Sequence, residues 1–338
     1  MKEMKRCLAA ILLLVFMLCA LSAPAEETET PVPLYRATAT CAITIRAEPS
    51  RDAEAVGYYA AGARVLIVSW EPEWLQVVKG DVTGWIIRHT VTDQVPIDKT
   101  MQPFGWMKNE YVADIDSSCV LREAPDDDAQ ALVVIPEGER LALLSIENGW
   151  GKVMYWRTYA YLKMDKRVAS IEPILPVEDA QAGDILSAYC SFYPLKGELV
   201  PGRLVNIRLG CEYICRVVEP GERFSFNEIA GPYGPAKGYK KAMSFYDGGT
   251  APSYGGGTCQ VSSTLYNVLM PLSGRSIDIV YRRSHGASGA TYLPHGTDAA
   301  VGSDALDFIF RNEFDFPVRI DARSHDQGVV YIALIREE

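Results

Sequence analysis

Cys259 sits where a protein could build a nucleophile. It follows Gly255-Gly256-Gly257-Thr258 and opens a stretch of helical spacing that runs to Leu269. A helix start carries unpaired N–H groups and a partial positive charge, and both favour a thiolate, the reactive form of cysteine. Glycine lets the backbone approach a ligand closely. Such a thiolate attacks carbonyls, and Gly256, Gly257, Thr258 and Gln260 are the residues whose backbone would receive the oxyanion or hold the substrate. The same pattern also describes a small buried residue packed against a tight turn, and the local residues leave both readings open. A thiol nucleophile needs a group that takes and returns a proton, and histidine does this near neutral pH. The four histidines are His89, His285, His295 and His325. His89 is expected on the surface of a β-rich segment and His325 in a solvated hairpin.

The elements that would carry these residues lie in the last 150 or so positions, 185–338. Gly202 to Tyr213 has helical spacing, with Val205, Leu209 and Tyr213 on one side. The helix from Cys259 stops before Pro271 and turns Val261, Leu265, Val268 and Leu269 inward. Strands are expected at Arg216–Val218, Leu306–Phe310, Val318–Ala322 and Val329–Ile335. His325-Asp326-Gln327-Gly328 is the hairpin between the last two. The predicted domain is α+β, with an antiparallel sheet and about two helices. Before it, residues 168–184 carry Pro173, Pro176 and the acids Glu172, Glu178 and Asp179, and read as a linker.

Upstream the chain repeats itself at an offset of 76 residues without a gap: Arg46/Arg122, Pro49/Pro125, Asp52/Asp128, Gly62/Gly138, Ser69/Ser145 and Trp74/Trp150. Each unit is a series of short β-patterned runs between turn residues, which predicts two small all-β barrels at 35–95 and 110–167. Trp74 and Trp150 are expected in the barrel cores. Tyr58, Tyr59 and Trp70 are expected exposed, as the ligand-contacting aromatics. Ile43-Thr44-Ile45-Arg46-Ala47-Glu48-Pro49, Trp74-Leu75-Gln76-Val77 and Gly84-Trp85-Ile86 resemble the bacterial Src-homology-3-like domains of cell-wall proteins, as do Cys119 to Pro125 and Gly149 to Val153. The second copy departs from that pattern at Ala160. The resemblance implies peptidoglycan binding.

The first 25 residues have a basic start (Lys2, Lys5, Arg6), an apolar run from Leu8 to Leu21 and Ala23-Pro24-Ala25. They read as a secretory signal peptide cleaved after Ala25, short for a membrane span. With Glu3 the leader carries a net +2, so the formal charge falls from −10 in the whole chain to −12 in the mature one. That balance argues against nucleic acid and anionic lipid as partners and leaves room for uncharged glycan and short peptides. No later segment is apolar enough to span a membrane. Of six mature cysteines, Cys41, Cys119, Cys190, Cys211 and Cys215 are expected mostly as buried thiols. No metal set and no cofactor motif is present.

Arg203 with Asn206-Ile207, Val217 to Asn227, Gly238 to Ala242, Gly255 to Asn267 and Arg282 to Val301 resemble the VanW family, over roughly residues 186–320. The resemblance implies a cysteine L,D-transpeptidase acting on peptidoglycan stem peptides and needing no cofactor. It makes Cys259 the nucleophile and His285 the base, with His295 as the alternative base. Asp298, in Gly296-Thr297-Asp298-Ala299, would orient His285 or cap a turn. Arg203 and Arg283 would grip a substrate carboxylate or pair in a salt bridge. The alternatives are a non-catalytic wall-binding scaffold and a cysteine endopeptidase or carboxypeptidase on the same polymer.

Overall fold

The repeat in sequence is a repeat in structure. In the computed structural model, Arg46 Nη1 donates to Ala53 O and Arg122 Nη1 to Ala129 O, each at 2.7 Å. Gly62 and Gly138, at φ 77° and 84°, turn the chain so that their N–H groups bond Ala39 O and Ile115 O. The structure describes residues 31–98, 100–246, 249–285, 290–303 and 305–338. The expected signal peptide, residues 1–25, lies outside the described residues.

The first copy forms one seven-stranded antiparallel sheet in the order Ala55–Tyr59, Ile43–Arg46, Val82–Ile87, Trp74–Lys79, Arg64–Trp70, Tyr35–Ala39 and Val91–Pro96. The second copy divides into a five-stranded and a three-stranded sheet. Among the described residues, strand pairing closes neither copy into a ring. The smaller sheet takes its edge strand, Val168–Pro173, from the expected linker; it pairs with Tyr111–Ile115. That strand is mostly exposed, so it shows no apolar alternation, and Pro173 at its end suits an edge. Trp74 and Trp150 are half-buried and not core; in the first copy that place is filled by Tyr35, Ile45, Ile67, Leu75 and Val77. Of the three expected surface aromatics only Tyr58 is strongly exposed, at 73%; Tyr59 is buried, and Trp70 packs edge-on against Tyr35 at 5.2 Å.

The C-terminal sheet runs in the order Ile185–Phe192, Val329–Arg336, Val318–Arg323, Val217–Val218. Its second strand explains the uninterrupted apolar run Val329-Val330-Tyr331-Ile332-Ala333-Leu334-Ile335. Val330, Ile332 and Leu334 face the helices, while Val329, Tyr331, Ala333 and Ile335 join the core of the second copy. A strand buried on both faces loses the polar half of its alternation. Pro33–Glu338 accordingly forms one compact unit.

Three α-helices lie among the described residues of this domain, against about two expected: α1 (Val200–Ile214), α2 (Phe226–Ala230) and α3 (Thr258–Leu269). In α1 the buried face is Ile207, Gly210, Cys211 and Ile214, not the Val205/Leu209/Tyr213 stripe. Close packing decides this: a Cβ at Gly210 would stand 3.2 Å from Val261 Cγ2 of α3. The short α2 is the helix that was not expected, and Ser225 caps it by accepting the Glu228 N–H at 3.2 Å. Helix α3 is buried on every side, including Val261, Leu265, Val268 and Leu269. Among the described residues, no helix is long and apolar enough to cross a membrane.

Candidate active site

The glycine turn is wedged between two walls, and this sets where α3 begins. A Cβ on Gly256 would lie 2.7 Å from both Ala242 O and Met243 O, in the hairpin Lys241–Tyr246/Gly249–Tyr254. Gly257, at φ 112°, is the N-cap and lies against Arg203 of α1. Asn206 of α1 bonds Gly256 O at 2.9 Å. Cys259 therefore sits in the first turn of α3, half-buried, with Sγ donating to Val301 O at 3.3 Å. It borders a cleft of about 900 Å³ that His285, Arg203, Tyr292, Tyr254 and Gly257 also line.

His285 reaches the same cleft from the segment after the strand Ile277–Tyr281. Its backbone N–H donates to Asp298 Oδ2 at 2.7 Å, and its ring Nδ1 meets the same oxygen at 2.5 Å. The two side chains are only 6% and 4% exposed. The Cys259 side chain is another electrostatic neighbour of the ring and favours its charged form. Burial alone would lower the proton affinity of His285, but the Asp298 bond and then the neighbouring Cys259 outweigh it and push the pKa up to about 10. Asp298 is held below the usual carboxylate range: burial opposes this, while the His285 bond and the Arg282 charge, 3.7 Å from Oδ1, win. The three side chains thus form a thiol–imidazole–carboxylate series, in which Asp298 orients the ring on one edge and Cys259 shares its cleft.

The loop that carries Asp298 is tied to α3 by polar side chains on the buried helix. Ser262 Oγ donates to Ala299 O at 2.7 Å, Ser263 Oγ accepts the Ala299 N–H at 2.9 Å, and Asn267 Nδ2 donates to Thr297 O at 2.7 Å. Buried polar groups must find partners. The Ser262-Ser263-Thr264 run inside a buried helix is the sequence signal for such ties.

The remaining expected site residues divide. Gly257 lines the cleft, whereas Gly256 is the tight-packing residue behind it. Thr258 and Gln260 line the cleft, but their bonds run inward. Thr258 spends its N–H and hydroxyl on Gly255 O, and Gln260 bonds Ser191 Oγ, Phe192 O and Arg203 Nη2. The Cys259 N–H meets no backbone carbonyl among the described residues. Arg203 reaches the cleft with its Nε unpartnered. Arg283 is exposed and absent from the cleft wall, so the structure does not bring the two arginines together as a grip. His295 also stands off the cleft: its carbonyl accepts from Arg88 Nε at 2.9 Å, and burial together with Arg157 and Arg88 lowers its pKa. That places it outside the cleft that Cys259 borders. His89 and His325 are exposed, as expected.

Sequence reasoning missed Tyr292, Tyr233 and Arg282. Tyr292 is buried at the cleft, and its hydroxyl makes no formed hydrogen bond. The nearby Ser263 hydroxyl is already engaged by Ala299 on both sides. Tyr233 lines the cleft and donates to Asn227 Oδ1 at 2.7 Å. Arg282 stacks on Tyr266 at 4.7 Å and donates to Asp298 O at 2.6 Å. Among the other cysteines, Cys119, Cys190 and Cys211 are buried, and burial pushes the first two thiols up to about 11 and about 12. Cys41 and Cys215 are exposed, against expectation. No group of three or more His, Cys, Asp or Glu side chains converges as a metal set among the described residues.

Residues 202–335 match the family described as VanW like protein, and this stretch includes Cys259, His285 and Asp298. The uncharacterised protein YoaR of Bacillus subtilis (strain 168) is 39% identical over 126 residues, which is 37% of this chain and 40% of that protein. The chain thus spans about two fifths of the length of that curated relative. Similar solved structures include an NlpC/P60 family protein from Bacillus cereus (14% identity, 45% of this chain, 59% of that chain, TM-score 0.17). NlpC1 from Trichomonas vaginalis is another (12% identity, 94% and 97%, TM-score 0.18). Scores this low carry neither a shared fold nor a shared chemistry. Residues 202–335 are thus similar to the VanW family.

Proposed function

We propose that this protein is a cell-wall-acting cysteine acyltransferase of the L,D-transpeptidase kind, exported and held at peptidoglycan by two upstream modules of the Src-homology-3-like type. The VanW-like domain supports the connection to the cell wall. The observation that carries the chemistry is the Cys259–His285–Asp298 series at the edge of a cleft of about 900 Å³.

In this reading the Sγ proton passes to the His285 ring, whose proton affinity is raised, as sulfur attacks. The thiolate attacks the carbonyl carbon preceding the terminal D-amino acid of a stem peptide. The Cys259 N–H, at the positive end of α3, faces the developing oxyanion. Collapse of the tetrahedral species breaks the C–N bond, and the imidazolium gives its proton to the departing amine. This leaves a thioester and a neutral ring. An amine from a neighbouring stem then attacks the thioester, its proton goes to His285, and sulfur leaves to regenerate the resting pair. Asp298 holds the ring through both half-reactions and stabilises its charge. Arg203 supplies the cleft's positive charge for the stem carboxylate.

Incubation of wild type and Cys259→Ala with tetrapeptide muropeptides, followed by mass spectrometry, tests this. Cross-linked dimers with wild type alone support the proposal. Tripeptide products alone mean that water resolves the thioester, as in a carboxypeptidase. Unchanged muropeptides in both samples leave a wall-binding scaffold.

A further inference from the structure

The loop 290–298 delivers Asp298 to His285, yet it contains no strand or helix. A buried segment without a ladder must find partners for its carbonyls one by one. From within the VanW-like domain, Asn267 takes Thr297 O, and Arg282 takes Gly296 O and Asp298 O, the latter two at 2.6 Å. The other side of the loop is held from outside that domain. Arg157, of the second repeat, donates from Nε to Leu293 O at 3.2 Å and from Nη2 to Ala290 O at 3.4 Å. Arg88, of the first repeat, donates from Nε to His295 O at 2.9 Å and from Nη1 to Glu71 O at 3.2 Å. The two repeats are themselves joined there, since Tyr159 donates to Glu71 Oε2 at 2.6 Å.

We infer that Arg88 and Arg157 are positioning residues: the two upstream modules, beyond any contact with the wall, hold the loop that places Asp298 against His285. This rests on the triad reading above. A guanidinium that is 1% exposed and bonded to neutral carbonyls is costly to desolvate, and an apolar residue of that volume would serve stability better. What Arg88 provides is directed donors in a fixed plane. The packing is shaped around it. Its guanidinium stacks on Phe104 at 4.9 Å, and a Cβ on Gly105 would stand 2.4 Å from Nη2. The wall-binding modules and the catalytic domain are then one machine, and displacing the modules would loosen the triad.

The full-length protein tests this without substrate. The short Nδ1–H···Oδ2 bond of His285 should give a far-downfield proton resonance, and Asp298→Asn should abolish it. Arg157 is half-buried, so Arg157→Ala is the main variant. It should lose or broaden that resonance and slow alkylation of Cys259 by iodoacetamide roughly tenfold. Its thermal midpoint should stay within about 3 °C. Arg157→Lys, which restores one donor, should recover both signals in part, and Arg88→Lys should act in the same direction as Arg157→Ala. A wild-type resonance and a wild-type alkylation rate in Arg157→Ala would overturn the inference. Unchanged alkylation in Asp298→Asn would instead sink the triad reading itself, whatever the arginine variants do.

Discussion

Asp298→Asn changes one oxygen to an amide while keeping the side chain's shape, and its consequences follow from the geometry of His285. The Asp298 carboxylate accepts two bonds from His285, at 2.7 and 2.5 Å, and helps push its pKa up to about 10 against burial. Each pH unit between 6.5 and that value is worth about 1.4 kcal/mol, so the whole interval corresponds to ~5 kcal/mol, shared between Asp298 and Cys259. Because the folded value is raised, this stability is fully present below pH 6.5 and is lost as pH climbs toward 10. Wild type should therefore lose stability across that window. In Asp298→Asn the main charge partner is gone and burial dominates, so the slope should flatten and the histidine should be neutral at pH 7. Urea unfolding midpoints at several pH values between 6 and 10, compared between wild type and variant, isolate this group from the other residues that titrate there. The acylation rate should fall by about 10²- to 10⁴-fold, since the ring loses both its orientation and its charge stabilisation. Parallel pH–stability curves for the two proteins, with equal acylation, would refute this account of the pair.

The two candidate bases separate by substitution: His285→Ala should cost about 10²-fold or more in acylation, whereas His295→Ala, off the cleft, should change it less than about threefold. Steady-state rates on a synthetic stem tetrapeptide check both. Gly256→Ala should be destabilised by about 1–3 kcal/mol, because its methyl would meet two backbone carbonyls at 2.7 Å in the facing hairpin. A shift in the urea midpoint, with less active protein at 37 °C, is the readout.

The surroundings of Cys259 were legible because they are local. Three glycines, a helix start and a cysteine lie within five residues of one another, and the turn they describe is the one observed. The partnership of His285 with Asp298 came through a family pattern, since nothing in the spacing of two loop residues 13 apart fixes a hydrogen bond. What stayed hidden depends on neighbours distant in sequence. The buried face of α1 follows from a glycine opposite Val261, not from its apolar stripe. Tyr292 becomes a cleft residue only once its loop is folded against α3. Nothing in the sequence marks Arg88 or Arg157 until the repeats are seen packed on the last domain. The tail strand Val329–Arg336 did carry a legible sign of that packing, an apolar run with no polar face, which means burial on both sides.

Intact-mass spectrometry of the full-length protein, quenched in acid during reaction with a stem tetrapeptide and no acceptor amine, tests the central claim most directly. A mass gain equal to the peptide less the released free amino acid, mapped to Cys259, removed by hydroxylamine and absent in Cys259→Ala, is the predicted result. A protein that never gains mass, or that carries the acyl group on another residue, would contradict it.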